Sequence, residues 1–282
     1  MFTLKIENSR GELFELTHNS ADYIVAGITG LAYPRINVNA VTGGQDGGIY
    51  GSSIAEMRNI VLSIMPRGDV EGNRQRLYKM FPPKEPCTVY FQNENRDVKI
   101  RAYIETLDGD FFTDAETMQI SLICPAPYFE DVDAIYAEIS SVIRYFEFPF
   151  SISEPVEFSS ISDSPQAIIN NTGDLPCGVT ITATFYGSVT GLTVYCVNLS
   201  QKIEIGYTFQ YGDTVTICTL QGSISAVLAR GTEEINMIPY ISDDSEFFRL
   251  PAGESSFTVS VGSGDSGDVE CGISATELYG GV

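Results

Sequence analysis

Three pairs of carboxylates have the spacing that could do acid–base chemistry: Asp108 with Asp110, Glu233 with Glu234, and Asp243 with Asp244. A glycoside hydrolase needs two carboxyl groups flanking a sugar, one of them held protonated in an apolar pocket. Each pair falls where a turn between strands is expected, so solvation and local backbone hydrogen bonds explain it. The single histidine, His18, lies in Leu16-Thr17-His18-Asn19-Ser20 with no nucleophile elbow beside it. The run Gly43-Gly44-Gln45-Asp46-Gly47-Gly48 lacks the lysine and helix of a phosphate cradle, and Asp46 would repel the phosphate. It reads as a loop or hairpin tip. Gly262 to Asp268 lacks the alternating ligands and closing glutamate of a calcium loop. The six cysteines contain no Cys-x-x-Cys pair, and His18 has no ligand-spaced neighbour, so neither a metal nor a cofactor is expected. No catalytic residue is assigned.

Binding chemistry has one candidate set. Tyr195, Tyr207 and Tyr211 could stack against sugar rings, and alternation puts Tyr207, Phe209 and Tyr211 on one face of one strand. That face is either glycan-facing or the core face. Cys124, Cys196 and Cys271 fall on the apolar phases of their strands and read as reduced, packed thiols, with a disulfide in the second half as the alternative.

The elements that must position these groups come from a chain of 282 residues, long enough for two domains with separate cores. Its 43% hydrophobic and 19% charged content is globular, and 26 glycines with 13 prolines suit many short strands joined by turns. No apolar run approaches the ~20 residues of a membrane span, and Met1 to Glu7 alternates like a strand without a leader core. Synthesis and folding in a cytoplasm, with no membrane insertion, are expected. The net charge of −21 is uneven: residues 1–131 carry 12 basic and 18 acidic groups, residues 132–282 carry 4 and 19. Such a surface repels phosphate backbones, which excludes tight nucleic-acid binding. Plain solubility accounts for it, and so would a conduit that DNA slides past.

Asn59 to Met65 is apolar on both faces and reads as a buried strand ended by Pro66. Val70 to Phe81 reads as a helix, with Val70, Leu77, Tyr78 and Phe81 on one stripe, Asp69 as N-cap and Pro82-Pro83 as the stop. Its other face carries Glu71, Asn73, Arg74, Arg76 and Lys79. Strands follow at Cys87–Phe91, Val98–Glu105 and Met118–Cys124, with a turn at Asp108-Gly109-Asp110, and Pro125 and Pro127 end the ladder. Phe2 to Leu16 is a hairpin turned at Asn8-Ser9-Arg10-Gly11, and residues 22–31 add a short strand. Residues 132–149 read as a connector or first strand, in which Ile135, Ile139, Val142 and Ile143 allow a short helix. From Phe150 onward the chain reads β: Val179 to Phe185, Leu192 to Val197, Lys202 to Ile205 with a turn at Gly206-Tyr207-Thr208, Thr214 to Leu220, Phe247 to Leu250, Phe257 to Val261, and Val269 to Ile273.

The order of several short segments is similar to the N-terminal domain of the distal tail proteins of long-tailed bacteriophages, the Dit family. Gly30-Leu31, Tyr50-Gly51-Ser52-Ser53, Arg58-Asn59-Ile60-Val61-Leu62, Asn73-Arg74 with Leu77-Tyr78, and Cys124 to Phe129 carry it, over about a hundred residues. Asn170-Asn171-Thr172-Gly173 and Phe247 to Gly253 resemble the galectin-like C-terminal domain of many such proteins, with Ser255 standing where an asparagine is typical. That departure leaves ligand binding out of the comparison. The resemblance implies a mainly β fold: an N-terminal β-sandwich or barrel-like ring domain with one α-helix (1–131), a connector (132–149) and a galectin-like jelly-roll β-sandwich (150–282).

It further implies a structural virion protein without enzymatic activity, assembled in the bacterial cytoplasm and located at the tail tip. Six copies would form a ring joining the tail tube to the tail-tip or baseplate complex. Partners would be further copies of the chain, the tail-tube protein, the tail-associated hub or lysin protein, and receptor-binding proteins at the side. Extended hairpins pack on the neighbouring subunit in that family, so Gln45, Asp46 and Tyr50, with Arg74, Arg76 and Lys79 of the helix, are the expected interface residues. Two rivals belong to other classes: a carbohydrate-binding adhesin reading host glycans through residues 150–282, and a tail-associated hydrolase using one of the acidic pairs.

Overall fold

The computed structural model describes residues 2–17, 20–44, 46–110, 116–140, 142–144, 159–161 and 166–282. The chain divides into two units, Met1–Val132 with Leu278–Val282, and Asp133–Glu277.

In unit 1, β1 (Thr3–Asn8) and β2 (Leu13–Thr17) form the expected hairpin. β3 (Tyr23–Thr29) follows, and then β4 (Ile36–Val41) and β5 (Ile49–Ala55), which among the described residues pair only with each other. β6 (Arg58–Pro66), α1 (Val70–Met80), β7 (Pro86–Gln92), β8 (Asp97–Asp110), β9 (Thr117–Cys124) and β10 (Phe129–Asp131) complete the unit's first passage. The sheet runs β2-β1-β7-β8-β9-β6-β3, antiparallel throughout. Period-two alternation sends Leu4, Ile6, Val89, Ile100, Ile120 and Leu62 into one core. The two ends of the sheet meet there: Phe14 of β2 lies edge-on to Tyr23 of β3, centroids 5.1 Å apart, and to Phe81 at 5.2 Å. The sheet is therefore curled into a barrel-like form, with the end of α1 filling its seam.

Several local expectations change. β6 buries one face only: Ile60, Leu62 and Ile64 are inside, while Val61, Ser63 and Met65 lie on the half-covered outer side. α1 starts where Asp69 accepts from the Gly72 amide at 3.0 Å, as predicted, but its stripe is Leu77, Met80 and Phe81. Tyr78 points outward, 39% exposed, because an eleven-residue helix at a seam needs only a narrow apolar edge. Asp108-Gly109-Asp110 is no turn. β8 continues through it, and Gly109 pairs with Met118 after a bulge between Ile104 and Thr106, so cross-strand pairing overrides the local turn preference.

Unit 2 opens with β11 (Ile135–Ser140), a strand where weak periodicity allowed a helix. Its Ile135 and Ile139 share a face at strand period as well, and pairing decides. β12 (Val142–Arg144) and β13 (Ser159–Ile161) pair with each other. Then come β14 (Gln166–Asn171), β15 (Val179–Phe185), β16 (Val189–Cys196), β17 (Gln201–Phe209), β18 (Thr214–Cys218), β19 (Ser225–Arg230), β20 (Glu233–Asn236), β21 (Gly253–Ser263) and β22 (Val269–Ala275). They form two sheets, β11-β22-β15-β18-β19-β20 and β14-β21-β16-β17. Phe185 of the first stacks on Phe209 of the second, centroids 4.1 Å apart, which fixes the pair as a sandwich with the threonines of β15 facing out. β17 runs straight through Gly206-Tyr207-Thr208, and Phe247 to Leu250 contributes only a bridge from Leu250 to Cys177. All six cysteines are free, and five are buried.

The chain then returns to unit 1. β23 (Leu278–Tyr279) pairs antiparallel with β10, Phe129 against Tyr279 and Glu130 against Leu278. Unit 2 is thus inserted between two neighbouring strands of unit 1.

Candidate assembly surfaces

Arg58 heads β6 and is 2% exposed. It donates from Nε to the Pro127 carbonyl at 2.8 Å, from Nη1 to the carbonyls of Gly30 (2.5 Å) and Ala32, and from Nη2 to that of Gly280 at 2.7 Å. Its planar group lies over the Phe129 ring, 4.4 Å from the centroid. The short segments that carry the sequence resemblance, Gly30-Leu31, Arg58-Asn59 and Cys124 to Phe129, therefore converge on one buried cation. Gly30 sits at φ +84°, and a Cβ there would overlap the Asn59 carbonyl. Burial lowers the proton affinity of Arg58, but carbonyl dipoles satisfy its donors without a carboxylate among the described residues. This is architecture rather than chemistry.

The exposed feature of unit 1 is the β4–β5 arm. No residue of either strand is buried; Ile36, Val38, Val41, Ile49, Tyr50 and Ile54 are all solvent-facing, Ile49 at 76%. Apolar residues normally alternate inward in a strand; here neither face is covered by any of the described residues. Arg35 and Glu56 close the base through a backbone bond of 2.8 Å and an ion pair of 3.7 Å. Tyr50 donates to Ser53 at 2.7 Å, Asp46 lies in the exposed tip, and Gln45 and His18 lie outside the described residues. Sequence reading found the tip but missed the apolar arm, whose Ile and Val residues resemble any other strand until their burial is known.

Arg74 is committed to Glu71 and, at 3.0 Å, Glu116. Arg76 lies 3.9 Å from Asp22, and Lys79 is exposed with its carbonyl accepting from Arg10 at 2.5 Å.

In unit 2 the three tyrosines do not share a face. Tyr195 points to the opposite side of its sheet from Tyr207, which turns toward the core and meets Phe209 and Tyr240 edge-on at 5.5 and 4.9 Å. Tyr211 lies beyond β17 in a turn, 78% exposed. Glu233 and Glu234 sit on β20, Asp108 and Asp110 on β8, and Asp243 and Asp244 in a turn. Among the described residues no group of His, Cys, Asp or Glu is arranged to hold a metal, and no helix is long and apolar enough to cross a membrane. Asn171 ties the two segments resembling a galectin-like domain: its Nδ2 donates to the carbonyls of Leu175, Leu250 and Pro251, each at 3.1 Å. Ser255 is fully buried, and its Oγ has no hydrogen-bond partner among the described residues.

Residues 172–275 match the SPP1 Dit family model, the siphovirus-type tail component, C-terminal domain. No curated protein matches the chain. Among solved structures, the Dit protein of phage SPP1, described as a paradigm of the hub adsorption apparatus of phages infecting Gram-positive bacteria, superposes with a TM-score of 0.70 at 14% identity over 99% of both chains. A chain of the phage P2 baseplate, in its activated conformation with calcium, superposes with a TM-score of 0.50 at 11% identity over 98% of both. At these identities the superpositions establish a shared fold. The chain is mainly β, shares this fold, and carries a siphovirus-type tail-component domain in its second half. Residues 172–275 thus carry the C-terminal-domain signature of the SPP1 Dit tail-component family, within a chain whose fold is shared with SPP1 Dit.

Proposed function

We propose that the chain is the distal tail hub, that unit 1 closes into a ring of six copies continuing the tail tube, and that unit 2 projects as the platform for host-recognition proteins. The β4–β5 arm carries this reading. A two-stranded apolar ribbon is marginal in water by itself and gains its stability on a partner surface. Head-to-tail contacts between identical copies supply such a surface and close when the rotation fits an integer. Gln45, Asp46, Tyr50, Arg74, Arg76 and Lys79 are the interface residues under this reading. The tail-tube protein and the tail-associated hub or lysin protein then bind the two rims, at the tail tip, after assembly in the host cytoplasm. The role is structural and needs no turnover.

Light scattering across a concentration series tests the ring. The expected species has a mass of about 185 kDa, six copies of the 30.8-kDa chain, and an open centre by electron microscopy. A monomer at every concentration, both alone and with the tail-tube protein, overturns it.

A further inference from the structure

Unit 1 is not finished by residues 1–132. The fourth carbonyl on Arg58 belongs to Gly280, on the far side of unit 2 in sequence. Arg96 lies over the Tyr279 ring, 4.6 Å from its centroid, and donates to the Gly281 carbonyl. Tyr279 donates to Asp131 at 3.2 Å, and the Val282 amide donates to the Leu31 carbonyl at 3.1 Å. The fit is close: a Cβ on Gly280 would overlap the Tyr33 ring, and one on Gly281 would press on the Leu31 carbonyl. Removing this segment uncovers Phe129 and leaves a donor of a buried cation without its acceptor, a costlier loss than that of a neutral bond.

All of unit 2 is synthesised between Val132 and Leu278. We infer that residues 278–282 are a completion latch: unit 1 closes only on a chain that already carries unit 2. The order of synthesis then checks integrity, because a chain stopped inside unit 2 never presents a finished unit 1. The latch concerns the closure of unit 1 within one chain, so its failure would leave the ring reading untouched, and the reverse holds too.

Amide hydrogen exchange resolved along the chain provides the test, comparing the full chain with one stopped after Glu277. In the stopped chain, β6 and β8 are expected to exchange on the order of 100-fold faster, while β15 and β16 of unit 2 keep their protection. Equal protection of β6 and β8 in both chains overturns the latch. A second variant covers the case in which the stopped chain does not stay in solution. Gly280→Val in the full chain blocks seating against Tyr33, and the same selective loss in β6 and β8 is expected. Unchanged exchange in that variant likewise overturns the inference.

Discussion

The carboxylate of Asp213 and the guanidinium of Arg230 meet through two parallel hydrogen bonds, Nε to Oδ1 at 2.8 Å and Nη2 to Oδ2 at 2.5 Å. Asp213 is buried and also accepts from the Gln210 amide at 2.9 Å, so one side chain pins the turn after β17 to the end of β19. The Arg230 hydrogen bonds hold its carboxyl below the usual range. A depressed value in the folded state means that the contribution is complete above the unfolded value, about 4, and is lost as pH falls through the folded one. Unit 2 is expected to lose stability on acidification below about pH 4. Asp213→Asn should flatten that limb in calorimetry over acidic pH; an unchanged slope would assign it to other carboxylates.

Thiol titration should separate one cysteine from five. Burial pushes Cys87 and Cys271 up to about 12, and Cys124 and Cys177 to about 11. It raises Cys196 as well, and Cys218 alone is partly exposed. A disulfide-exchange reagent is expected to modify Cys218 alone in the native protein and all six after denaturation, since the thiolate is the reacting form. Native reaction of two or more thiols, located by mass spectrometry, would contradict this packing.

Two glycines with positive φ should respond differently to alanine. Gly11, at φ +77°, faces open space, so Gly11→Ala carries only the backbone cost of about 1 kcal/mol. Gly30→Ala adds a collision with the Asn59 carbonyl beside Arg58 and is expected to cost more than about 2 kcal/mol. Urea unfolding of unit 1 measures both, and similar losses would mean that the Gly30 turn can relax.

Arm substitutions should uncouple stability from assembly. Ile49 and Ile54 are 76% and 71% exposed, so Ile49→Asp and Ile54→Asp should change folding stability by no more than about 0.5 kcal/mol. Both should abolish the heavy species in light scattering. An arm variant that still assembles would move the subunit contact elsewhere on unit 1.

What could be read from the sequence follows the range of the interactions involved. Val179 to Phe185 alternates cleanly because each residue answers to the core beneath it, and the start of α1 shows because Asp69 and Gly72 are neighbours. β8 beyond Glu105 and β20 were missed, since Asp, Gly and Glu are poor strand residues that pairing alone holds extended. In the sequence Arg58 enters only through the Arg58-Asn59-Ile60-Val61-Leu62 segment that carries the family resemblance. Its acceptors lie 28, 26, 69 and 222 positions away, and no local pattern encodes them. Leu278-Tyr279 is too short to show any period. Tyr211 was put on the β17 face by alternation, which fails one residue after the strand ends at Phe209.

The β4–β5 arm also bears on how the protein behaves before it finds a partner. Among the described residues no further strand lies beside its outer edges, and its apolar side chains offer any similar ribbon a surface to pair with. A surplus of unassembled chains is therefore the state most prone to aggregate, through this arm before either core is disturbed. Soluble yield should track the supply of partner surface more closely than thermal stability, and an arm that is covered early is protected from that fate.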